Sequence, residues 1–147
     1  MEPLQKAFIY NRFHDYLGEL LAHADLEDMM DSACDILVAS IKCGDPPPMF
    51  INNVFQGEFV QNFKSPDPKT LFIDRPANEG QYLFVPNVDY FSAEGQTIRG
   101  ARASCRLISA ACMNLPLTIC YKPENMYIAG IIPGLNEPSK TKLNHYM

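Results

Sequence analysis

LFVPNVDYFSAEG, residues 83–95, is the stretch on which the fold turns. An apolar run, Leu83-Phe84-Val85, passes through Pro86 to Asn87-Val88-Asp89 and ends in a polar turn at Ser92-Ala93-Glu94-Gly95. β-formers bounded by turn residues predict a strand from Tyr82 to about Val88. Pro86 cannot donate to a ladder, so this strand is expected at a sheet edge or with a bulge. It delivers a carboxylate, Asp89, to its end. Asp89 either caps a turn or is presented by the sheet to a hard cation, which prefers carboxylate oxygen.

Two more runs share this texture. Leu107 to Asn114 is almost continuously apolar, as in a strand covered on both faces. Met126-Tyr-Ile-Ala-Gly-Ile-Ile is the third, ending at Pro133-Gly134. The gaps between the three runs hold turn residues and leave no room for crossover helices of about a dozen residues, so antiparallel neighbours in sequence order are expected. Leu71-Phe72-Ile73-Asp74 reads as a further short strand.

Upstream the period changes. Ile9, Phe13, Tyr16, Leu17, Leu20 and Leu21 form one stripe, which predicts a helix over 4–23. A second helix is expected over 26–42, capped by Asp25, with Met29, Met30, Ala33, Leu37 and Ile41 inward. Gly44-Asp-Pro-Pro-Pro ends it, because three prolines cannot continue a helix. Residues 52–63 suit a short amphipathic helix weakened by Gly57. The expected class is therefore α+β. A helical segment spans 1–45, a Pro-rich connection 46–69, and a mainly antiparallel sheet of three to four strands 70–147.

The 147 residues fit one modest domain. No stretch has the roughly 20 apolar residues that span a bilayer, and no secretory leader is evident, so an intracellular protein, nuclear or cytoplasmic, is expected. The five cysteines, Cys34, Cys43, Cys105, Cys112 and Cys120, form no CxxC pair, and none of the three histidines lies at zinc-ligand spacing. The net charge of −5 is uneven: residues 1–45 carry −6 and the rest +1. Neither part is the strongly basic surface of a self-sufficient DNA-binding domain.

In order and spacing, NVDYFSAEG, CMNLP, KPENMYIAGIIPGLNEPS and LNHYM resemble the transposases of CACTA (En/Spm-like) elements, most of all those abundant in mushroom-forming basidiomycete fungi. FHDYLGELLAHADLEDMMDSACD resembles the helical segment that precedes the sheet in those proteins. The resemblance covers most of residues 10–147. It implies an RNase H-like core with DDE chemistry, in which the first three strands form an antiparallel meander. It also implies that Asp89 descends from the first catalytic aspartate and once helped to hold Mg²⁺. Two such ions, about 4 Å apart, clamp the attacking and leaving oxygens of an in-line phosphoryl displacement.

The chain also departs from the family. Leu135 stands where it usually has a second proline, and the remaining catalytic acids lie beyond the helix that follows the third strand. The expected reading is thus a fragment carrying the front of a transposase core, inactive alone and without a cofactor of its own. Arg99, Arg102 and Arg106 form a small basic cluster, either a solvated strand edge or a set of phosphate contacts. Expected partners are DNA or full-length transposase, with no membrane and no small-molecule cofactor. Two other functions fit the same residues. One is an interaction module docking on full-length transposase or another partner. The other is a metal-dependent nuclease completed by acids such as Glu94, Glu124 or Glu137.

Overall fold

The structure, a computed structural model, describes residues 9–46, 48–67, 69–76, 78–92 and 104–134. Three nine-residue strands dominate it: Phe84–Ser92, Ser104–Cys112 and Met126–Gly134. A two-residue strand, β1 (Ile9–Tyr10), precedes them in the chain, so they are β2, β3 and β4. The sheet order is β1-β4-β3-β2 and every pairing is antiparallel. The three long strands are adjacent in sequence order, and the architecture is α+β, helices followed by an antiparallel sheet. Pro86 sits on β2, an edge strand, where its missing N–H leaves no gap in an inner ladder.

Side-chain parity explains the burial. Phe84, Val88 and Tyr90 on β2 share a face with Cys112, Ile108 and Arg106, their partners on β3. The helices cover this face. Helix α1 (Phe13–Leu21) lays Phe13, Tyr16 and Leu20 on Phe84, Ala110, Cys112 and Tyr127. The Phe13 ring meets Phe84 and Tyr127 edge-on at 5.1 Å each. A bulge in the pairing of β4 with β3, at Ile108/Ser109, leaves Ala129 without a partner in that register. The Ala129 carbonyl accepts the Asn11 N–H at 2.9 Å, which ties the N-terminal segment to the sheet.

The first helix is shorter than its stripe predicts. Ile9 pairs with Ile131 and Tyr10 with Gly130, because the free edge of β4 offers them a ladder, and the helix starts only at Phe13. The second helix, α2 (Ala24–Cys43), is longer than predicted, and His23, not Asp25, occupies its N-cap; Asp25 lies in the first turn beside the free amides. At its far end Gly44 takes φ 69°, a left-handed turn, and the N–H groups of Gly44 and Asp45 close on Ile41 O and Ser40 O. The expected helix over 52–63 splits at Gly57 into a 3-10 turn (Val54–Gln56) and the four-residue α3 (Glu58–Gln61).

Leu71–Asp74 is not a strand. It makes one isolated bridge, Leu71 with Lys64, and turns so that Ile73 drops into a second core with Cys34, Leu37, Phe55 and Val60. A short helix, α4 (Leu117–Cys120), follows the β3 turn and adds Cys120 to the first core.

Candidate metal and nucleic-acid site

Asp89 lies on β2 opposite Leu107, on the sheet face that α1 does not cover. It is exposed, and the Asn87 side-chain amide donates to its Oδ2 at 2.7 Å. Val85 and Phe91 flank this pair along the strand, with Leu107 and Ser109 across the ladder. One carboxylate and one carboxamide can offer a cation oxygen atoms, but they place little charge around it. The ladder separates Asp89 from Glu124. The β4 strand begins at Met126, which aligns through Ala111 with Val85, four residues back from Asp89. That offset is roughly 13 Å, and Glu124 lies further out still. Glu94 and Glu137 lie outside the described residues. Among the described residues, no group of three or more His, Cys, Asp or Glu side chains is arranged to hold a metal ion.

The basic cluster divides. Arg99 and Arg102 lie outside the described residues. Arg106 is central in the sheet and only 2% exposed, because β3 is flanked on both sides and Arg106 points to the helix-covered face. Its guanidinium lies over the Tyr90 ring, 4.4 Å from the centroid. Neither terminal nitrogen has a hydrogen-bond partner among the described residues. Asp89 and Arg106 therefore face opposite sides of the sheet and form no joint site.

Two further residues of the family-like motifs, Asn114 and Asn125, serve packing. Asn114 is buried, accepts the Leu83 N–H at 2.8 Å, and donates to Met30 O and Gln81 O. Asn125 is also buried; its carbonyl accepts the Tyr16 hydroxyl at 2.6 Å, and its amide donates to Ile119 O. Burial pushes the Cys112 thiol up to about 11, so it stays protonated and unreactive near neutral pH.

Sequence reasoning missed the polar network that locks α2 to the loop before β2. Arg75 pairs with Asp35 at 2.8 Å and Asp31 at 3.3 Å, and the Tyr82 hydroxyl donates to Asp31 at 2.8 Å. Asp31 and Asp35 share a helix face, but no local pattern shows that a residue 40 or more positions away closes on them. No helix among the described residues is long and apolar enough to cross a membrane. No protein-family model, no curated protein and no solved structure matches this chain.

Proposed function

We propose that this chain is a derivative of the front part of a CACTA-type transposase core and does not itself break or join DNA. One observation carries the reading. The antiparallel meander of β2, β3 and β4 follows the helical segment, and its first strand presents Asp89 at an exposed position. This is the place that the resemblance of NVDYFSAEG gives to the first catalytic aspartate.

The support for a silent site comes from the described neighbours of Asp89. Asp89 has Leu107 opposite and Asn87 and Phe91 on its own side of the strand, none of them able to add negative charge. A two-ion centre works mainly by holding both ions and the reacting oxygens in fixed positions. Asp89 and Asn87 alone leave an ion mostly hydrated and free to exchange.

Paramagnetic broadening by Mn²⁺ tests this. Amide signals around Asp89 should broaden no more than those around exposed Asp67, and Asp89→Asn should change little. Selective broadening at Asp89 at low Mn²⁺, lost in Asp89→Asn, would overturn the silent-site reading.

A further inference from the structure

We infer that the groove along α2 docks an amphipathic helix with basic flanks, supplied by a partner protein. Two cavities of about 400 and 540 Å³ lie end to end on this helix and share Ala33, Ile36 and Asn53. Helix α2 contributes Met29, Ala33 and Ile36 to the first and Ala33, Ile36, Leu37 and Ile41 to the second. The twelve helical steps from Met29 to Ile41 span about 18 Å, enough for roughly three turns of a partner helix. This helical side is wet: Met29 is 41% exposed, Ile36 66% and Ile41 50%. Val54 of the 3-10 turn and Leu117, the first residue of α4, wall the first cavity. A groove with Met29, Ala33 and Ile36 at i, i+4 and i+7 on its helical side suits a partner helix read by anchors at the same spacing.

Charge selects the occupant. Asp45 and Glu58 line the second cavity, and among the described residues no Lys, Arg or His lines either. The single base of α2, Lys42, lines neither cavity. A second copy meeting groove to groove would set acid against acid, and an anionic lipid surface would be repelled. A helix with lysine or arginine beside its apolar stripe meets both the apolar side chains and the acids. This inference stands apart from the reading of Asp89, since it involves neither metal nor DNA.

The test uses three labelled peptides of about 16 residues. One carries leucines at helical spacing flanked by lysines, one has the same leucines flanked by glutamates, and one is the scrambled lysine peptide. Fluorescence anisotropy with the full chain should show the lysine peptide binding at least about tenfold more tightly than either control. The preference should shrink with added salt. Ile36→Asp should abolish binding while circular dichroism stays unchanged, because the side chain is mostly exposed. Asp45→Lys with Glu58→Lys should reverse the preference between the charged peptides. Phe91→Ser, on the open sheet face, should leave binding intact. Equal binding of all three peptides, no binding of any, or loss on Phe91→Ser would overturn the inference. So would concentration-dependent dimerisation that Ile36→Asp removes, since the occupant would then be a second copy.

Discussion

Asn114, at the end of β3, donates a side-chain N–H to the carbonyl of Met30 on α2 across 3.0 Å, and this bond joins helix and sheet inside the core. The same side chain accepts from Leu83 and donates to Gln81, so one carboxamide holds the entry to β2, the exit of β3 and the middle of α2. The residue looks like part of a functional signature in sequence; in the fold it is a clamp.

Asn114→Ala should lower stability in urea unfolding by about 2–3 kcal/mol, because it orphans the half-buried Leu83 N–H as well as removing two donors. Asn114→Asp should cost more near neutral pH, since a carboxylate would face the Met30 and Gln81 carbonyls. Its deficit should narrow as pH falls and the carboxyl gains a proton. Equal stability of Asn114→Ala and the wild type would refute the clamp.

Alkali should destabilise the fold through two buried groups, Cys112 and Tyr16, and the half-buried Tyr82. Burial pushes Cys112 from 9.0 to about 11, and burial raises Tyr16 and Tyr82 from 10.0 to about 12, Asp31 adding to the effect on Tyr82. Each folded-state value lies above the unfolded one, so the folded chain holds these protons more tightly. Their contribution is complete below about pH 9 and is lost as pH rises through 9–11 for Cys112 and 10–12 for the tyrosines. Denaturation midpoints followed across that range should fall in the same window as tyrosinate absorbance appears. Tyr16→Phe should flatten part of the slope, while costing about 1 kcal/mol at pH 8 through the lost bond to Asn125.

Thiol labelling should separate the five cysteines by burial. Cys43 is exposed and should react at once with a disulfide reagent; Cys34, Cys112 and Cys120 are buried and should react only on unfolding. Rapid labelling of Cys112 in the native protein would contradict the packing described for β3.

The open sheet face should limit solubility more than stability. Val85, Phe91 and Ile128 are partly exposed there, whereas Ile108 is buried because it points to the helices. Replacing Val85 and Ile128 by Thr should raise the concentration at which the chain aggregates and shift stability by under about 1 kcal/mol each. A loss of several kcal/mol would mean that this face is packed.

The strands were legible because each is an apolar run closed by turn residues, and Gly44 with its prolines marked the end of α2. Ile9 and Tyr10 misled, since a helical stripe and a two-residue edge strand use the same side chains, and only the free edge of β4 decides between them. Leu71-Phe72-Ile73 misled in the opposite sense: three apolar residues suffice for a strand, yet here they fill a core from a turn. Arg106 was legible as a charge but not as a buried one, because its face depends on the register with Tyr90. The Arg75 network depends on contacts across some 40 residues, which no local spacing encodes.

The most direct measurement is DNA cleavage and strand transfer by the purified chain, with nicked and hairpin substrates and Mn²⁺, beside Asp89→Asn. The account predicts no product above background from either protein, since Asp89 has no second carboxylate beside it in the described sheet. Products formed by the wild type and lost in Asp89→Asn would contradict it and establish the chain as a metal-dependent nuclease.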